Sequence, residues 1–140
     1  MHTLSCYAVE PTLKVMAKKI LVIDDDKDVR DMVTYVLEEA KYEVAASGEA
    51  KILNSINDIN PDLVMMDNWL TEWKSDANGQ QLSRQLKLNP ATSHIPVIII
   101  SAMSNIKEIA EAGLADAYLQ KPFDVVSLID MVKKFIKSPI

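Results

Sequence analysis

The sequence predicts an α/β fold, a doubly wound sandwich of five parallel strands with helices on both faces. Three observations predict it. Short branched apolar runs of strand length alternate with helical periodicity five times along the 140 residues. Strands separated by helical crossovers form parallel sheets with right-handed connections. Finally, several of the apolar runs end on a charged or hydroxyl residue, and in doubly wound sheets the ligand site lies beyond the carboxyl ends of the strands.

Each element has its own justification. "KILVI" (19–23) is rich in branched residues and bounded by charge, as a strand buried on both faces should be. From Asp26, "DKDVRDMVTYVLEEAK" places Val29, Met32, Val33, Val36 and Leu37 on one helical face, with acidic residues at its start where the helix dipole favours them. "YEVAAS" reads as the second strand, Gly48 as a turn, and "EAKILNSINDI" as a second helix broken by Pro61. "DLVMMD" is the third strand. "NWLTEWKSDAN" is polar and aperiodic, a loop closed by Asn78-Gly79. "GQQLSRQLKL" is a helix ended by Asn89-Pro90, and "IPVIIIS" is the fourth strand. "NIKEIAEAG" is a short helix with Gly113 at the expected stop. "AYLQ" is the fifth strand, and "FDVVSLIDMVKKFIK" an amphipathic helix with lysines toward its end.

Composition narrows the class. Apolar residues make up 49% and charged residues 25%, the balance of an ordinary globular domain. A net charge of −5 argues against a nucleic-acid partner, whose binding surfaces are usually basic. No apolar run approaches the ~18 residues that span a bilayer, so no membrane partner is expected. The single cysteine, Cys6, forms no internal disulfide and fits a reducing, cytoplasmic compartment. "MHTLSCYAVEPTLKV" lacks the pattern of a signal peptide. Met16 could be the true start. The expected division is therefore an extension over 1–16, flexible or non-native, and one domain over 17–140.

Asp24 and Asp25 follow the first strand, Asp67 the third, Ser101 the fourth and Lys121 the fifth. If the sheet forms, all five converge on one edge. Three clustered carboxylates raise one another's pKa values unless a cation neutralises them. Magnesium accepts one or a few carboxylates, keeps several waters and takes phosphate oxygens. Beside it, the Asp67 carboxylate could attack phosphorus to form an aspartyl phosphate. Magnesium, Lys121 and the Ser101 hydroxyl would each then balance one phosphoryl oxygen.

The segments "ILVIDDD", "DLVMMD", "VIIISA" and "AYLQKPF", in this order and spacing, resemble the receiver domain of two-component response regulators over about residues 17–138. The resemblance implies a flavodoxin-like strand order, 2-1-3-4-5, as in single-domain chemotaxis regulators. It implies magnesium-dependent transfer of a phosphoryl group to Asp67 from a histidine kinase or a histidine phosphotransfer protein. The domain would catalyse its own phosphorylation and slow dephosphorylation without turning over external substrates. Asp24 and Asp25 would help hold the metal, Asp25 the more directly, together with Asp67 and the backbone carbonyl of Trp69. Ser101 would be the switch hydroxyl and Tyr118 the switch aromatic, and the Lys121-Pro122 bond would be cis. Output would pass by contact with an unidentified protein, from a monomer or a phosphorylation-dependent dimer.

This chain also departs from the family pattern. Leu70-Thr71 stands where a Met-Pro pair is usual, and Gly79 lies four residues beyond the usual glycine, so the loop over 68–78 is longer. That bears on metal affinity and kinase recognition. The helix after Ser101 is about two residues shorter than in chemotaxis-type members. Trp69 and Met103, two past the acceptor and two past the switch hydroxyl, are bulky and apolar where hydrolytic water would enter, which predicts slow loss of phosphate.

Plainer roles compete at each position. Acidic runs are usually solvated surface, and Asp26 reads as a helix N-cap. Asp67 could end a strand, Ser101 could cap a segment, Lys121 could be a surface lysine and Tyr118 could pack on the sheet. Trp69 and Trp73 read as loop packing, the methionines as core filler, and His94, His2 and Cys6 receive no role. Two other functions compete with this reading. A haloacid-dehalogenase-type phosphohydrolase needs a second aspartate two residues after the nucleophile, where Trp69 stands. A phosphorylation-independent binding module fits poorly with five intact site residues. The sequence ends just after its fifth helix, which predicts a stand-alone receiver or a piece of a larger hybrid kinase.

Overall fold

A computed structural model describes residues 17–68 and 78–137. The expected architecture forms. The strands are β1 (Lys19–Ile23), β2 (Glu43–Ser47), β3 (Leu63–Asp67), β4 (Val97–Ser101) and β5 (Ala117–Gln120). The helices are α1 (Lys27–Glu39), α2 (Ile56–Ile59), α3 (Gly79–Leu88), α4 (Ile106–Ala112) and α5 (Val125–Lys133). The sheet is wholly parallel in the order β2-β1-β3-β4-β5.

Strand alternation divides the core into two layers. Ile20, Val22, Leu63, Met65, Ile98 and Ile100 pack with Val33 and Leu37 of α1 and Leu128 and Val132 of α5. Leu21, Ile23, Val64, Met66 and Val97 face Ile56 of α2 and Leu86 of α3. Every residue of β3 and β4 is buried, which explains why those runs show no polar alternation.

Helix termini follow local chemistry. Asp26 caps α1, accepting from the Asp28 and Val29 amides. Asn78 and Gln81 form a reciprocal capping box at the start of α3, so Asn78-Gly79 begins a helix as well as closing a loop. Asp124 caps α5 by accepting from the Ser127 amide.

One element differs from expectation. The second helix is a 3-10 segment, Ala50–Ser55, running into a single α-turn that ends at left-handed Asn60. Asn54, Ser55 and Asn57 compete with the backbone for hydrogen bonds, and Ile52, Ile56 and Ile59 lose rotamers, so the segment's helix propensity is low. Gly113 caps the C-terminus of α4, as expected, with a φ of −84°, and Leu114 after it takes the positive φ of 56°. The Leu114 and Ala115 amides still close back onto Glu111 and Ala110. Gly113 is small for another reason: a Cβ there would lie 2.9 Å from the Gln80 carbonyl oxygen on α3.

A bond between distant residues ties α5 to the α1–β2 turn: the buried Tyr42 hydroxyl donates to the Ile136 carbonyl at 2.9 Å. Burial raises the Tyr42 pKa above its usual 10.0. A raised pKa on a group that is neutral when protonated gives stability fully present below about pH 10 and lost as pH climbs through the folded value. Tyr42→Phe should cost about 1 kcal/mol in urea denaturation at neutral pH. Above pH 10 the gap should narrow, because only the wild type carries the phenol that must ionise.

Candidate functional site

Strand register builds the site. Ile23 of β1 lies opposite Met66 of β3, which sets Asp24 and Asp67 in adjacent positions one row further on. Asp67 pairs with Ile100, so Ser101 follows at the same edge. The Lys121 amide donates to the Ser101 carbonyl at 2.8 Å and carries the ladder past β5. The Lys121-Pro122 peptide is cis.

Lys121 links the acidic groups. Its Nζ donates to Asp24 Oδ2 at 2.9 Å and stands 3.6 Å from Asp67 Oδ2. Asp24 is only 1% exposed, so its charge needs partners. It has them: the Asp26 amide donates to its other carboxylate oxygen at 2.9 Å, and Arg30 Nη1 to its backbone carbonyl at 2.8 Å. Arg30 reaches that carbonyl across Gly48, where a Cβ would lie 2.7 Å from Nη1. Carboxylate oxygens of Asp24, Asp25 and Asp67 lie within 4.8 Å of one another. Burial by itself would lower the Lys121 pKa. The hydrogen bond it donates to Asp24 and the charges of Asp67 and Asp24 outweigh it, and the net shift is upward. The ammonium is therefore charged throughout the neutral range.

An all-oxygen donor set of three carboxylates suits a hard divalent cation. Oxygens on opposite sides of magnesium sit roughly 4.2 Å apart, twice its ~2.1 Å bond. Of three such oxygens at least two pairs are adjacent, roughly 3.0 Å apart, so a spread of at most 4.8 Å closes onto the ion with side-chain movements of up to about 1.8 Å. The residues fit the ion.

The other expected positions are as follows. Ser101 is 2% exposed, and its Oγ accepts from the Met103 amide at 3.1 Å, so it caps locally as well as facing the site edge. Tyr118 is 39% exposed on β5, and Met103 is also exposed. Trp69, Leu70-Thr71 and Trp73 lie outside the described residues, as do His2 and Cys6. His94 is exposed and apart from the cluster.

Sequence reasoning missed two residues. Gly79 sits so close to the end of β3 that a Cβ would lie 2.6 Å from Asn68 Cα and 2.7 Å from the Asp67 carbonyl oxygen. Asn68 is buried, and its Oδ1 accepts from the Gln80 amide at 2.9 Å. The displaced glycine was visible in the sequence as an anomaly of spacing; its contact was not. Beside Lys121 an apolar cavity of about 280 Å³ opens between Val29 and Met32 of α1 and Pro122 and Phe123. Among the described residues no helix is long and apolar enough to cross a membrane.

Comparison with known proteins agrees with this geometry. A family model described as the response regulator receiver domain matches residues 20–133, and the chain belongs to that family. It is a receiver domain of two-component signalling, in a family where phosphorylation and magnesium binding are general features. It is 33% identical over 126 residues to the phosphate regulon transcriptional regulatory protein PhoB of Escherichia coli, covering 87% of this chain and 53% of that protein. The chain thus spans about half the length of the curated relatives it matches. A response-regulator structure from Chloroflexus aurantiacus superposes with a TM-score of 0.78 at 28% identity, covering 85% of this chain and 97% of that one. The receiver domain of NtrX from Brucella abortus gives 0.72 at 34% identity, covering 82% and 95%.

The contact at Gly79 predicts a reversal of normal helix preference. Alanine favours a helix over glycine by about 1 kcal/mol. At position 79 its methyl would press on backbone, and Gly79→Ala should instead destabilise by about 1–3 kcal/mol in urea unfolding. A stabilised variant would mean that α3 can withdraw from the acceptor strand without cost.

Proposed function

We propose that this domain is a phosphorylation-driven switch whose acceptor is Asp67. The observation that carries this reading is the bridge from Lys121 Nζ to Asp24 at 2.9 Å and toward Asp67 at 3.6 Å, within a triad of carboxylates. A histidine kinase or histidine phosphotransfer protein presents a phosphohistidine. A carboxylate oxygen of Asp67 attacks the phosphorus; the new P–O bond forms as the P–N bond breaks, and the imidazole nitrogen keeps that electron pair. Lys121 turns its ammonium to one incoming oxygen. Ser101, whose Oγ already accepts from Met103, keeps its hydroxyl proton for another.

Magnesium is the metal we assign to Asp24, Asp25, Asp67 and the Trp69 carbonyl; when bound, it neutralises the charge of the arriving phosphoryl group. Movement of the Ser101 loop toward the phosphoryl group would then alter the surface around Tyr118, the face we assign to output. Regulation of transcription belongs to the relative named for it, a protein about twice as long as the matched part. For this domain we propose output by protein contact. The bulk of Trp69 and Met103 supports slow hydrolysis.

Incubation with a small phosphodonor and magnesium should add one phosphoryl group by intact mass, and Asp67→Ala should add none. Unmodified wild-type protein would end this reading. Without phosphodonor, magnesium at 100 times its dissociation constant should stabilise the wild type by about 2.7 kcal/mol, and Asp25→Asn should lose most of that gain. Met103→Ala should shed the phosphoryl group roughly tenfold faster, about 1.4 kcal/mol off the barrier; an unchanged rate removes Met103 from the water path.

A further inference from the structure

The residue directly after the acceptor makes contacts that its place in the sequence does not explain. The Asn68 amide donates to the Ile100 carbonyl at 2.9 Å, extending the β3–β4 ladder one step beyond Asp67. Its carbonyl accepts from the Gly79 amide at 2.9 Å, and its side-chain Oδ1 accepts from the Gln80 amide at 2.9 Å. These are the first two amides of α3, groups that a helix cannot satisfy internally. The third, that of Gln81, goes to Asn78. The helix is therefore capped twice, once by its neighbour in sequence and once from across the site. Gly79 lets the two backbones meet, since any Cβ there would strike Asn68 Cα.

We propose that Asn68 is a positioning residue for phosphoryl transfer. Its side chain clasps the end of β3 to α3 and so fixes the backbone from which the Asp67 carboxylate is aimed. The inference rests on the reading of Asp67 as acceptor. Its physical basis is the sensitivity of in-line transfer to placement: a shift of about 1 Å at the attacking group can cost on the order of a hundredfold in rate. Asp67 is held on one side by the sheet. Asn68 supplies a second anchor within one residue of the nucleophile, at both backbone and side chain. An asparagine suits the task because its amide oxygen can accept from a helix amide without adding a fourth charge beside Asp24, Asp25 and Asp67.

Local capping and positioning can be separated, because this helix start carries one cap of each kind. Asn68→Ala and Asn78→Ala each remove one side-chain acceptor from the start of α3 and should lower the melting temperature to a similar extent. Initial rates of phosphorylation by a small phosphodonor are then measured at saturating magnesium. Asn68→Ala should react roughly ten- to hundredfold more slowly, while Asn78→Ala stays within about twofold of wild type. Asn68→Asp keeps an acceptor oxygen in the same place and should recover part of the rate, the remainder being lost to the fourth negative charge beside the triad. Where Asn68→Ala does not fold, Asn68→Ser, with its oxygen one bond shorter, takes its place in the comparison. A wild-type rate for the Asn68 variant, or equal slowing of both alanine variants, overturns the positioning role and leaves the acceptor assignment intact. A wild-type protein that takes up no phosphoryl group overturns both.

Discussion

The structure turns on where like charge is forced together. The β1–β3 register puts Asp24 beside Asp67, Asp25 follows in the chain, and Lys121 arrives from the far edge of the sheet, 97 positions from Asp24. Such a cluster costs stability unless it is compensated. The compensation is layered: the Lys121 ammonium on the carboxylates, the Asp26 amide on Asp24, and the Arg30 guanidinium on the Asp24 backbone. Stability and function pull in opposite directions at such sites. Each Lys121 contact steadies the cluster as it stands, yet the same ammonium is the group an arriving phosphoryl oxygen would claim.

Much of this was legible in the sequence, for a definite reason. Strands buried on both faces must be short continuous apolar runs, and "KILVI", "LVMM" and "VIII" leave few other readings. Once those runs are strands, the polar residue ending each one has a fixed address, so Asp24, Asp67, Ser101 and Lys121 could be gathered before any coordinates. The cap at Asp26 was also readable, because it depends on neighbours in the chain.

What escaped was whatever depends on close approach between elements. Gly113 is the helix stop it looked to be, but Gln80 of α3 also passes close over it, and Leu114 takes the left-handed turn. Gly79 looked misplaced against the family spacing, yet it presses on the backbone of Asp67 and Asn68. The second helix was overestimated because its apolar spacing is helical while its Asn and Ser content is not helix-forming. At the two glycines the deciding term was a contact that no local window contains; in the second helix it was local propensity overriding apolar spacing.

The two sides of the site edge are built with different firmness, and that difference has mechanical meaning. Asp24 directly follows, and Asp67 ends, a five-residue strand that is largely buried and paired on both sides. Beyond Ser101 the material is weaker: α4 has seven residues and no side-chain cap, and edge strand β5 has four. Leu114, Tyr118 and Met103 are exposed there, and Leu114 holds a backbone conformation that costs a branched residue roughly 1–2 kcal/mol. Segments that move are drawn from the least stable parts of a fold. A reaction at the rigid side that withdraws the Ser101 hydroxyl from Met103 would therefore be felt across α4 and β5 before it could disturb β1 or β3. On the proposed reading the chemistry would stay aligned while the surface beside Tyr118 yields, which is the division of labour a switch requires.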